Sequence, residues 1–106
     1  MTTVTMFRQN GRLIGFETKD HTGFAEEGRD VVCAAVSAAT ELAVTVLESA
    51  KADISVTIDE KTACVRLRVN GSPGKTEEAV LDGYGRYLKD VSAAYPLHVS
   101  FSITEV

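Results

Sequence analysis

His21 and Cys33 stand twelve residues apart, at either end of a segment that also holds Gly23 and Gly28. Brought together, an imidazole and a thiol make a nucleophile with its general base: the base takes the thiol proton, and the thiolate attacks an acyl carbon. Asp30 suits the N-cap of a helix, which would place Cys33 at the third helical position, with Gly28 the alternative cap. A thiol there feels the positive end of the helix dipole and the first-turn amides, which favour thiolate and hold a developing oxyanion. Ser37 follows Cys33 by four residues and faces the same side, where its hydroxyl could orient a substrate carbonyl, a water or the imidazole. Each residue also has a plain reading. Cys33 is then a small buried core residue, His21 a surface histidine, Ser37 a serine bonded within its own helix, and Asp30 a cap with no catalytic part.

No other constellation competes. Cys64 and His98 fall by alternation on the polar faces of strands, away from the helix start, and neither is expected to be catalytic. A zinc site from His21, Cys33, Cys64 and His98 would lack any close ligand pair such as CxxC or HxxxH. No glycine-rich phosphate loop, GxSxG elbow or HExxH run occurs. No metal and no cofactor are therefore expected.

The elements that must position the pair follow from periodicity. Thr3 to Lys19 reads as two strands joined at Asn10-Gly11, a dipeptide suited to a tight hairpin turn. Asp20 to Arg29 has no period and reads as a mobile surface loop. From Asp30 to about Ser49, Val32, Val36, Ala39, Ala43, Val46 and Leu47 recur at helical spacing, with Ala35 and Leu42 filling the same broad face. Ile54, Val56 and Ile58, then Ala63, Val65, Leu67 and Val69, alternate as a second hairpin with one apolar face. Leu81, Tyr84, Leu88, Val91 and Tyr95 mark a second helix over roughly Lys75 to Ala94, in which Gly83 and Gly85 permit close packing or a bend. After Pro96, Leu97, Val99, Phe101 and Ile103 alternate with His98, Ser100, Ser102 and Thr104 as a last strand. The order ββαββαβ predicts an α+β fold: a two-layer sandwich with a five-stranded sheet and both helices on its apolar face. The other face, rich in Thr, Ser and Arg, is left for solvent or a second subunit.

The chain has 106 residues, 44% hydrophobic and 25% charged, as one domain spanning 1–106 would. Two cysteines form no disulfide framework and read as reduced thiols. No apolar run approaches a membrane span and the N-terminus carries no signal-peptide pattern, so a cytoplasmic location is expected. A net charge of -4 with scattered lysines and arginines disfavours direct nucleic-acid binding and is compatible with a basic substrate.

The run from His21 through Gly28 and Asp30-Val31-Val32-Cys33 to Ala34-Ala35-Val36-Ser37 closely resembles the bacterial ribosomal-processing cysteine protease Prp family. The element order and length extend the resemblance over the whole chain. It implies an endopeptidase that removes a short N-terminal extension from a large-subunit ribosomal protein, cutting after an aromatic-rich hydrophobic sequence. Cys33 would be the nucleophile, His21 the general base and Ser37 a substrate-positioning residue, in a homodimer with a flexible loop between the dyad residues. The family usually has Gly-His-Ala around the histidine, where this chain has Asp20-His21-Thr22. Thr22 would narrow access, and Asp20 would raise the imidazole's proton affinity. The alternative is a non-catalytic ribosomal-protein binding or ribosome assembly module with a structural cysteine.

Overall fold

The computed structural model describes residues 1–20 and 29–106, with Arg29 and Asp30 described by backbone alone. Its elements are β1 (Thr2–Gln9), β2 (Arg12–Asp20), α1 (Arg29–Ser49), β3 (Ile54–Asp59), β4 (Cys64–Val69), α2 (Lys75–Ala94) and β5 (Val99–Glu105). This is the expected ββαββαβ order, and the strands form one sheet in the order β3-β4-β2-β1-β5. Every neighbouring pair is antiparallel except β1 and β5, which run parallel because α2 carries the chain back across the sheet.

Asn10 and Gly11 turn the first hairpin with both backbone angles positive, φ 54° and 78°, the geometry their types favour. The hairpin then slips by one residue: Arg8 pairs with Leu13 but Phe7 with Gly15, so β2 carries an extra residue in a bulge. At Gly15 the β4 backbone comes so close that an added Cβ would collide with the Leu67 carbonyl oxygen.

Val4, Met6, Phe16, Leu47, Leu67, Leu81 and Leu88 are fully buried between the sheet and the helices. Phe16 of β2 stacks on Tyr84 of α2 with ring centroids 4.1 Å apart. The Tyr84 hydroxyl meets Thr40 of α1 at 2.9 Å, and Thr40 donates to the Val36 carbonyl at 2.8 Å. Gly85 is buried with Met6 against it, as close packing of α2 requires, whereas an added Cβ at Gly83 would meet open space. On the opposite face, Arg66 lies over the Phe7 ring and donates to Glu17.

At its C-terminal end α1 is locked. Lys51 takes φ 57°, its amide bonds the Glu48 carbonyl, and the Ala52 amide reaches back to Leu47 at 3.0 Å, the paired bonds of a Schellman cap. Ala52 and Ile54 then pack on the core, seating the helix end beside the start of β3.

Several expectations need correction. α1 starts at Arg29, so Asp30 is inside the helix rather than its cap and Cys33 is the fifth helical residue. Leu42 and Val46 are 64% and 39% exposed, because the alanine-rich flank of α1 is wider than the stripe that meets the core. Ala63 has φ 48° in the β3–β4 turn, so that strand begins at Cys64. Leu97 and His98 precede β5 in a turn closed by the His98 and Val99 amides on the Tyr95 carbonyl, leaving Leu97 81% exposed. Tyr95 likewise lies past the end of α2 and is exposed. Val31–Ser49 reaches a mean hydropathy of 1.7, long and apolar enough by composition to cross a membrane. Here its Val32, Val36, Ala43 and Leu47 bury against the sheet and α2.

Two outcomes test this packing. Gly15→Ala should lower unfolding stability by about 3 kcal/mol or more, since backbone on a neighbouring strand must move; a urea midpoint equal to wild type would contradict the close approach. Burial pushes the Tyr84 phenol far above its ordinary 10.0. The folded state thus holds that proton more tightly, and the contribution is whole below about pH 10 and lost as pH rises beyond it. Melting temperature should therefore fall above about pH 10, and the fall should be shallower in Tyr84→Phe.

Candidate active site

The first hairpin and the start of α1 meet around Cys33. Thr2 and Asp20 are cross-strand partners at the open end of the β1–β2 hairpin. Both are aligned with Val4, Phe16 and Thr18 on the face that the helices cover. The side chain of a helical residue leans toward the helix N-terminus, which carries the Cys33 thiol over the first turn of α1 toward that hairpin end. Its sulfur donates toward Asp20 Oδ2 at 3.8 Å and lies 4.0 Å from Thr2 Oγ1. Cys33 is half-buried and reduced. Val32 is fully buried and Val36 nearly so, which fixes the rotation of this turn about the helix axis.

Cys33 opens into a cavity of about 360 Å³ between α1 and the β3–β4 hairpin. Ser37 lines it one turn beyond Cys33, exposed, and Glu41 lines it one turn further. Thr18 and Thr40 are buried residues at its wall, and Val36, Ile58 and Val65 contribute an apolar surface. Among the described residues no buried side-chain nitrogen or oxygen lacks a hydrogen-bond partner, and the Thr40 hydroxyl is held by Val36 and Tyr84.

The cavity exists because the helices leave part of the sheet uncovered. Along β3 the core-facing residues become steadily more accessible: Ile54 is half-buried, Val56 39% exposed and Ile58 67% exposed. α1 is held near β3 at its C-terminal end and diverges from it toward Cys33. A second cleft of about 480 Å³ lies on the outer side between α1 and α2, walled by Leu42, Val46, Val80 and Tyr87. It holds neither cysteine.

The residues singled out by sequence fare differently. Cys33 and Ser37 are brought to one cavity, as their spacing demanded. His21 lies outside the described residues, as do Thr22 and Gly28. The carboxylate of Asp20, expected beside the imidazole, lies against the thiol. Cys64 pairs with Lys19 and belongs by register to the face away from the helices, as expected, yet it borders the same cavity rather than lying remote from it. Burial pushes its thiol up, and the Glu17 carboxylate pushes the same way. Thr2, Thr18, Thr40 and Ile58 were missed. The signal for Thr18 is alternation, which sets it in line with Phe16, and for Thr40 helical spacing, which sets it four residues after Val36. Among the described residues no group of three or more His, Cys, Asp or Glu could hold a metal ion.

Chemically, the arrangement offers a thiol flanked by a hydroxyl and a carboxylate, at the start of a helix, opening on an apolar-walled groove. It can present sulfur to an acyl carbon whose substituents lie along α1. In Cys33→Ala protein, where Cys64 alone remains, alkylation by iodoacetamide should rise with pH at a midpoint above the ordinary thiol value of 9.0. A midpoint below that value would contradict the burial that sets Cys64 apart.

A family model described as cysteine protease Prp matches residues 1–100. Among solved structures, SMU.848 from Streptococcus mutans superposes with a TM-score of 0.89 at 23% identity, covering 100% of this chain and 99% of that one. The ribosomal processing protease Prp from S. aureus in complex with a substrate peptide gives 0.90 at 17% identity, covering 98% and 100%. The same protease with a covalently linked product peptide gives 0.86 at 18%, with the same coverage. No curated protein matches.

Proposed function

The chain belongs to the cysteine protease Prp family, and from that premise we propose that it removes the N-terminal extension of a large-subunit ribosomal protein, cutting after an aromatic-rich sequence. The observation that carries this reading is the Cys33 thiol at the start of α1, opening directly into a groove with apolar walls. The substrate and covalent product peptides held by the S. aureus protease, which shares this fold, support it.

In the proposed reaction His21 takes the Cys33 proton, and the thiolate attacks the carbonyl carbon of the scissile peptide. Backbone amides at the start of α1 receive the charge that develops on the carbonyl oxygen. The carbon–nitrogen bond breaks as His21 returns the proton to the departing amine, leaving a thioester on Cys33. Water, deprotonated by His21, then attacks the thioester, releasing the carboxylic acid and restoring the thiol and neutral imidazole. Ser37, exposed on the cavity wall one turn from the sulfur, positions the peptide. No step calls for a metal or cofactor. A homodimer belongs to the same reading and rests on the family resemblance, and a cytoplasmic location is proposed with it.

With a peptide copying the host ribosomal protein's N-terminal extension, Cys33→Ala should lose at least about a thousandfold in kcat/KM. Cleavage by Cys33→Ala at the wild-type rate would end the proposal and leave a binding module whose cysteine is structural.

A further inference from the structure

Thr2 and Asp20 both reach the Cys33 sulfur, and the proposed reaction gives neither a part. They end the two rows of the first hairpin that face the helices: Thr2, Val4 and Met6 on β1, and Phe16, Thr18 and Asp20 on β2. Val4, Met6 and Phe16 are fully buried apolar side chains. At position 2, only 5% exposed, valine would have the same shape, and a hydroxyl so placed needs a partner. That partner is the nucleophile: Thr2 Oγ1 lies 4.0 Å from Cys33 Sγ.

The direction of the two contacts follows from the number of protons. A thiol has one hydrogen, and at Cys33 it is directed to Asp20 Oδ2 at 3.8 Å, where a carboxylate oxygen accepts it. In the Thr2 contact sulfur is therefore the acceptor and the hydroxyl the donor. When the thiol loses its proton the two contacts change in opposite ways. The Thr2 hydroxyl still donates, now to a charged acceptor, whereas the carboxylate has lost its donor and faces a second negative charge.

Both residues are fixed by the sheet. The Thr2 amide donates to the His98 carbonyl at 2.8 Å, and Thr2 pairs by register with Asp20 on one side and the buried Val99 on the other. The Asp20 amide bonds the Ala63 carbonyl at 3.3 Å, which ties it to the β3–β4 turn. Among the described residues the other ionisable groups lining the cavity are set apart from the sulfur. Glu41 lies two turns along α1, Asp59 accepts the Lys61 amide in its own turn, Glu60 is exposed in the same turn, and Lys19 and Cys64 belong by register to the far face. The carboxylate at the thiol is that of Asp20.

Building on the protease reading, we propose that Thr2 and Asp20 control the proton of the nucleophile: Asp20 keeps Cys33 as a thiol in the resting enzyme, and Thr2 is a catalytic hydroxyl that supports charge on the sulfur. In acylation the S–H bond breaks, its proton passes to the general base, and the sulfur electron pair attacks the carbonyl carbon with the Thr2 hydrogen bond in place. In deacylation the carbon–sulfur bond breaks and its electron pair returns to sulfur, where the same hydroxyl supports it until the proton is given back. The family usually has glycine where this chain has Asp20, and glycine brings no carboxylate to the sulfur. The restraint on the proton is thus particular to this chain.

The rate of Cys33 alkylation by iodoacetamide at about pH 7, read at that residue by mass spectrometry, tests both roles without any substrate. Asp20→Asn, which keeps the shape and removes the charge, should alkylate about fivefold faster than wild type or better, and Thr2→Val about fivefold slower or more. Thr2→Ser, which returns the hydroxyl, should recover most of that loss. Asp20→Gly and Thr2→Ala remove the same groups, should move in the same directions, and stand in where thermal melts show an isostere unfolded. With the peptide substrate, Thr2→Val should lower kcat and leave KM nearly unchanged. A merely structural role would not drive Asp20→Asn and Thr2→Val in opposite directions. Unchanged rates, shifts of the same sign in these two variants, or no recovery in Thr2→Ser would overturn the inference. If wild-type protein cleaves no peptide while the alkylation rates diverge as stated, the protease reading falls and the control of the thiol proton stands; if cleavage proceeds while the rates stay equal, the inference alone falls.

Discussion

The way α1 is fastened to the sheet governs the rest of the structure. Its C-terminal end is closed by two backbone bonds, from Lys51 to Glu48 and from Ala52 to Leu47, and Leu47 is wholly buried. Only one residue separates Ala52 from the start of β3, so helix and edge strand begin in contact. From there they diverge, and the rising exposure of Ile54, Val56 and Ile58 records it. The space between them is a wedge whose open end holds Cys33.

The wall of that wedge is kept firm by a chain of contacts through the core. Phe16 stacks on Tyr84, Tyr84 meets Thr40, and Thr40 holds the Val36 carbonyl, so β2, α2 and α1 are tied at the turn that follows Cys33. With Thr40 donating to Val36, the Tyr84 hydroxyl is the donor to Thr40, and both hydroxyls are satisfied without water. The cavity's inner surface is therefore also core, and side chains lining it have little freedom to rearrange.

Much of this was legible in the residues. Asn10-Gly11, the helical spacing through α1 and α2 and the alternation in the strands gave every element, because each is set by local backbone preference and one apolar face. What escaped was set by distant parts of the chain. Alternation put Ile58 on an apolar face but could not say that α1 would leave it bare. The same helical pattern that marked Val36 also marked Leu42 and Val46, although the core is narrower than the apolar arc of α1. The parallel pairing of β1 with β5 depends on where α2 delivers the chain, and Asp20's contact with the thiol depends on register.

The two-residue turn at Asn10-Gly11 pairs Gln9 with Arg12 and Arg8 with Leu13; continued without interruption, it would set Thr2 opposite Lys19. The bulge moves the pairing by one residue, so that Thr2 faces Asp20 and both lie on the helix side of the sheet beside Cys33. One extra residue in β2 thus exchanges a lysine for an aspartate as Thr2's partner at the hairpin's open end. It also brings Gly15 against the β4 backbone, where a side chain would not fit. Glycine at 15 and aspartate at 20 are in this sense one feature: the first lets the strand bulge and still pair with β4, and the second is what the bulge delivers to the thiol. The aspartate that precedes His21 in sequence thus acts at the sulfur, reached through the backbone of a hairpin whose turn lies at its far end.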